Sequence, residues 1–158
     1  MKLRELLDKW SLSGLKVHLG FLDAEFKPND TDRNAAWELY VELLTRVTTQ
    51  ALSADAGDEA AALLSVYQLF PITRDILRAP GRRHATEFTK LAVVVLNQKV
   101  RPFTAKWHKV QLAEGFKDAL FRAEFRQELV QLQVVLGQYT GLLSEVAGVE
   151  NLTQLENV

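Results

Sequence analysis

Three histidines, His18, His84 and His108, are the side chains best suited to bind a transition metal or move a proton near neutral pH. Zinc and di-iron sites on helices need ligands one turn apart, as in H-E-x-x-H or E-x-x-H. Three residues before the histidines stand Leu15, Gly81 and Ala105, so that spacing fails each time. Cysteine is absent, which removes thiolate ligands, thiol nucleophiles and disulfides together. No serine sits in the G-x-S-x-G turn that exposes a nucleophile. The eight glycines are scattered and form neither G-x-x-x-x-G-K-[ST] nor G-x-G-x-x-G, the loops that cradle phosphates. Glu38 and Glu42 stand one turn apart, a spacing that suits pairing with a basic residue of a neighbouring helix. The expectation is a chain with no catalytic residue, no metal site and no cofactor, which favours a non-enzymatic role and leaves an enzymatic bundle as an alternative.

What remains is charge. Residues 1–71 hold 7 Lys and Arg against 11 Asp and Glu, a balance of −4; residues 72–117 hold 10 against 3, or +7; residues 118–158 hold 2 against 6, again −4. A basic middle between acidic ends either meets a polyanionic partner or neutralises its own chain across a folded bundle. The internal reading is preferred because it needs no partner. The candidate binding surface is Arg82, Arg83, Lys99, Arg101, Lys106, His108 and Lys109. Arg82 and Arg83 lie in the turn "RAPGRRH", which either offers them to an anion at the next helix start or leaves them in solvent. If a helix continues past Pro102, then Phe103, Trp107 and Val110 form one apolar stripe facing the core. Lys99, Lys106 and Lys109 then share a second face, and Arg101 and His108 a third. Rings and cations on separate faces argue against a surface on which nucleic-acid bases stack. Asn97 and Gln98 interrupt an apolar run; Asn97 is expected to tie its helix to a neighbour, and Arg101 to pair with Glu38 or Glu42.

The elements that must position these groups follow from apolar periodicity. Leu12, Leu15, Leu19, Leu22 and Phe26 step by 3 and 4 and predict a helix, weakened by Gly14 and Gly20. A strand through Val17, Leu19 and Phe21 is the alternative. A helix capped by Asp30 or Thr31, with Asp32 at its positive end, should bury Trp37, Tyr40, Leu44 and Val47, with Leu43 beside them. A loop over 48–58 ends in Asp58, which caps a helix over 60–70 that buries Leu63, Val66, Tyr67 and Phe70. Pro71 either kinks that helix or restarts it at a first position, and Ile72, Ile76 and Leu77 continue the apolar face. A helix over 83–100, with Phe88, Leu91, Val95 and Leu96 inside, is apolar all round at 93–96 and is expected to be the most buried.

The clearest signal is Phe125, Leu129, Leu132, Leu136, Tyr139, Leu143 and Val146, which step alternately by 4 and 3. It predicts a long C-terminal helix rising about 45 Å, closed by Gly148 with Val149 as its apolar follower. Gly137 and Gly141 would let a neighbouring helix come close, and a short tail helix around Leu152 to Leu155 is expected to fold back. The fold class is all-α: one domain over 1–158, a bundle of about five to six helices with a long C-terminal helix. No apolar h-region opens the chain, and its longest apolar run, 91–96, is far too short to cross a membrane. With no cysteine, the expectation is a soluble cytoplasmic protein with no membrane partner. The leading function is a non-enzymatic helical interaction module, an adaptor or accessory subunit whose partner is another protein. The alternatives are a nucleic-acid-binding accessory protein using the basic segment, and a small-molecule-binding bundle. Homo-oligomerisation is left open.

Overall fold

The computed structural model describes residues 1–46 and 58–155, and every regular element among them is helical. The long C-terminal stripe folds into one helix, Ala119–Ala147, here called α8 because seven helices precede it. All seven stripe residues are buried, none more than 6% exposed. Asp118 opens α8 by accepting from the Leu120 N–H at 2.8 Å. At its other end Gly148 adopts φ 73°, and the Gly148 and Val149 N–H groups return to the carbonyls of Glu145 and Ser144. This satisfies two carbonyls that would otherwise be orphaned.

The preceding helices are α1 Leu3–Lys9, α2 Leu19–Leu22, α3 Asp30–Leu44, α4 Glu59–Tyr67, α5 Leu69–Arg78, α6 Thr86–Val95 and α7 Arg101–Leu112. α4 and α5 adjoin at Gln68, and a π-helical segment, Leu96–Val100, joins α6 to α7. The chain therefore forms six helical bodies among the described residues, with a long C-terminal one. α8 packs chiefly against α3, and one continuous set of buried side chains runs from Leu3 to Val146.

The N-terminal region departs from the predicted helix through Leu12 and Phe26. Only Leu19–Leu22 is helical there. Helix α1, which the spacing did not single out, ends first: Ser11 takes φ 57°, and the Ser11 and Leu12 N–H groups bond back to Asp8 and Leu7. It is the same closing device as at Gly148, with serine where glycine is preferred. Beyond it the chain runs irregularly. Phe26 N–H donates to the Met1 carbonyl at 2.8 Å, and Lys2 and Glu25 form an isolated antiparallel bridge. Leu12, Leu15 and Phe26 are buried as expected, but Leu19 is 65% exposed. A left-handed serine costs about 1–2 kcal/mol that glycine avoids. Ser11→Gly is therefore expected to raise stability by about 1 kcal/mol, read as a higher urea midpoint; a lower midpoint would mean the serine side chain contributes more than its backbone conformation costs.

α3 is capped by Asn29, one residue before Asp30 and two before Thr31, the expected caps. Asn29 Oδ1 accepts from Asp32 N–H, and Asp32 Oδ2 accepts from Asn29 N–H, both at 2.9 Å. Its buried face is Ala35, Ala36, Leu39, Tyr40 and Leu43. Trp37, expected in the core, is 47% exposed, and Leu44 is half-buried. Val47 and most of the loop expected after it lie outside the described residues. Asp58 caps α4 as expected, accepting from Ala60 N–H at 2.7 Å. Tyr67 is exposed rather than buried. Pro71 is the third residue of α5, where its missing N–H has no intrahelical partner to lose.

Pro102 explains the π segment. A proline ring clashes with the carbonyl four residues earlier, and the wider π turn relieves this while the helix continues. The tie to a neighbour predicted for Asn97 is made by Gln98, which accepts from Lys16 N–H at 2.8 Å and donates to the Lys16 carbonyl at 2.6 Å. Asn97 itself is exposed and accepts from Arg101. Nor is the 93–96 run buried all round: Val93 is 47% exposed, and the deepest continuous burial lies in α8, over 139–144.

Trp10 fastens α1 to α8. Its ring lies where a Cβ on Gly141 would stand, so Gly141 admits an indole rather than a helix backbone, while Gly137 faces open space. Trp10 Nε1 donates to Glu145 Oε2 at 2.5 Å, and Lys9 donates to Oε1 at 2.6 Å. Burial pushes the Glu145 carboxyl up, but the Lys9 and Trp10 hydrogen bonds and the Lys9 charge together outweigh it and hold it below the usual glutamate value. A carboxyl depressed in the fold contributes stability that is complete above the unfolded pKa and fades as pH falls through the folded one. The stability gap between wild type and Glu145→Gln is thus expected to narrow as pH drops from about 7 to about 3. A gap that stays constant across that window would show that the carboxylate charge is not what Lys9 and Trp10 recognise.

Candidate functional site

The seven residues of the candidate binding surface have different surroundings. Arg82 is held inside: its side chain is only 12% exposed and pairs with Glu38 of α3. Lys106 pairs with both Glu124 and Glu128 of α8, and the hydrogen bonds to Glu124 and Glu128 hold its ammonium pKa above the ordinary lysine value. Arg101 does not reach Glu38 or Glu42; its guanidinium lies 4.7 Å from the Phe70 ring centre, and Nε donates to Asn97. Glu42 pairs instead with Arg46, one turn along the chain. His108 packs edge-on against Tyr67 with ring centres 5.1 Å apart. Lys99 and Lys106 do come together, in a shallow groove between α7 and α8 beside Phe103. Arg83 and Lys109 are exposed, and with Lys99 they have no ion-pair partner among the described residues. Phe103 and Trp107 are buried as the spacing predicts, and Val110 is half-buried.

Two other grooves have apolar side chains in their lining. The first is a groove of about 310 Å³ between the N-terminal segment and α6. Leu3 and Leu7 of α1, Leu15 and Val17 of the irregular stretch, Phe21 of α2, and Val93 and Val94 of α6 line it. Phe21 is 49% and Val93 47% exposed. Its only charged lining residue is Lys90, which donates to Glu87 at 2.6 Å and stands 5.4 Å from the Phe21 ring centre. The Gln98 side chain ties the N-terminal wall at Lys16 to the segment that follows α6, and the bridge between Lys2 and Glu25 joins that wall to itself. Sequence reasoning missed this site, although its signal is present: the 91–96 run has more apolar residues than one helix face can bury, and Val93 and Val94 are the surplus.

The second is a groove of about 430 Å³ between α3 and α5, with Trp37, Val41, Ile72 and Ile76 as its floor and Glu38, Glu42 and Asp75 at its rim. Among the described residues no group of three or more His, Asp or Glu is placed to hold a metal ion, and no helix is long and apolar enough to cross a membrane. Comparison with protein-family models, with curated proteins and with solved structures finds no significant match to this chain.

Proposed function

We propose that this chain is a non-enzymatic interaction module, an adaptor or accessory subunit, that receives an apolar ridge of a partner protein in the groove between its N-terminal segment and α6. The observation that carries the reading is the half-exposure of Phe21 and Val93 on an otherwise apolar lining. A concave, apolar lining with half-exposed side chains is the usual form of a binding site. The absence of cysteine suits work in a reducing cytoplasm. A small apolar ligand is the second reading, favoured by a volume of about 310 Å³, at the lower end of ligand sites. The nucleic-acid reading is weaker, since Arg82 and Lys106 are already committed to carboxylates of the same chain.

The test is capture of partners from the source cells by tagged wild-type protein, by Val93→Glu and by Leu112→Glu. Leu112 is 88% exposed and does not line the groove, so it controls for a surface charge as such. Stoichiometric capture of one protein by wild type and Leu112→Glu, lost in Val93→Glu, is the expected result. Capture that survives Val93→Glu overturns the proposal. Native mass spectrometry of the purified protein, finding a small apolar molecule lost in Val93→Glu, would favour the second reading.

A further inference from the structure

We propose that the groove between α3 and α5 is a separate docking site for a basic amphipathic helical segment of a partner protein, bound by its apolar floor and acidic rim.

The floor has the spacing of a helix receptor. Trp37 and Val41 stand one turn apart on α3, and Ile72 and Ile76 stand one turn apart on α5. A helix presenting apolar residues at i, i+3 or i+4, and i+7 fits between two such rows. Trp37 is the natural anchor, since exposed tryptophans held rigidly on a surface carry a large share of interface energy. Its ring lies 5.9 Å from that of Tyr40, centre to centre. Tyr40 in turn donates to the Glu150 carbonyl and accepts from Leu152 N–H, both at 2.9 Å. The indole is therefore backed by a side chain fixed at its far end, while 47% of Trp37 remains open to solvent.

The rim sets the sign of the partner. Every ionisable residue lining the groove is acidic: Glu38, Glu42 and Asp75. Glu38 is held by Arg82, and Glu42 accepts two hydrogen bonds from Arg46 at 3.0 and 3.1 Å, so both are oriented by arginines that do not line the groove. Asp75 is exposed and has no ion pair among the described residues. Its helix neighbours Arg74 and Arg78 do not line the groove either. An acidic segment laid here would meet the unpaired Asp75 carboxylate, and a neutral one would desolvate it without a partner; a Lys or Arg beside the apolar ridge meets both conditions. This inference stands on different residues from the groove beside α6 and does not depend on it.

The experiment uses the full chain and two fluorescein-labelled helical peptides of about 18 residues, five turns. They share one leucine pattern and carry lysine or glutamate at the polar positions. Anisotropy is read at about 50 and about 300 mM salt, a range over which exposed charge pairs become screened. The lysine peptide is expected to bind and to weaken roughly tenfold at the higher salt, the glutamate peptide to bind at least tenfold less well at the lower salt. Asp75→Lys and Trp37→Ala should each lower affinity roughly tenfold. Both sites are exposed, and circular dichroism checks that each variant remains folded. Val93→Glu should leave this binding unchanged, which separates the outcome from that of the other groove. Equal binding of the two peptides, no binding of the lysine peptide, or full affinity in Asp75→Lys overturns the proposal. So does a dimer in analytical ultracentrifugation that dissociates in Trp37→Ala, because the occupant is then a second copy of this chain.

Discussion

Replacing Trp107 by alanine is expected to remove about 4 kcal/mol of folding stability, the largest effect of any single truncation considered for this chain. The side chain is fully buried, stacked on Phe116 at 6.0 Å and edge-on to Phe125 at 5.2 Å between ring centres. Phe103 and Phe116 also pack on Phe125, so the indole belongs to a four-ring cluster joining α7 to α8. Alanine loses the transfer energy of the ring and leaves a cavity that such a cluster cannot collapse to fill. It also removes the 2.8 Å bond from Trp107 Nε1 to Glu128 Oε2, although Lys106 still holds that carboxylate. With an m-value of about 2 kcal/mol/M in urea, the midpoint should fall by about 2 M. Trp107→Phe keeps most of the volume and loses the hydrogen bond, so its cost should be about 1–2 kcal/mol. A Trp107→Ala midpoint within error of wild type would mean that the cluster is not packed as described.

Asp32→Ala is expected to cost about 3 kcal/mol, an effect of core size from a residue type normally found outside. Asp32 is fully buried and closes two helices at once. Oδ2 accepts from Asn29 N–H at the start of α3, and Oδ1 reaches across to accept from Phe88 N–H at 2.9 Å. Phe88 is the third residue of α6, whose own flanking residue, Ala85, has no side chain able to cap. The carboxylate therefore supplies α6 with the cap its sequence lacks, and two positive helix ends converge on one negative charge. Ala35, Ala36 and Ala85, none of them exposed, allow the two helices to approach closely enough for it. Alanine leaves the buried Phe88 N–H without an acceptor, at about 1–3 kcal/mol before relaxation, and removes the part-buried bond to Asn29 N–H as well. Asp32→Asn, which can still accept through one oxygen, should lose roughly half as much. Denaturant midpoints of the two variants decide the matter; equal losses would show that the charge rather than the number of acceptors is what counts.

What could be read in the sequence was whatever one helix decides alone. The alternation from Phe125 to Val146, the Gly148 stop, the Asp58 cap and the burial of Phe103 and Trp107 depend on local geometry and the 3.6-residue period. Those features specify an all-α chain with a long C-terminal helix. The same period misled at residues 12–26, because apolar spacing is blind to a chain that stops being helical at Ser11 and buries its leucines along an irregular path. It also misplaced Trp37 and Tyr67. A helical wheel locates a stripe, but which of two adjacent stripes is buried depends on the neighbour, and on α3 the small Ala35 and Ala36 won the contact with α6 and α8.

The charges followed the same division. The sequence by itself determined that a basic middle lies between acidic ends, and residue types determined that carboxylates and cations would pair. Only the tertiary structure decided that Arg82 meets Glu38, that Lys106 meets Glu124 and Glu128, and that Arg101 stacks on Phe70 instead. The grooves belong wholly to that second category. A groove is the space left between two helices whose separation and rotation are set by side chains far apart in the chain. Leu3 and Val93 line one wall and the other, 90 positions apart, and no local rule relates them.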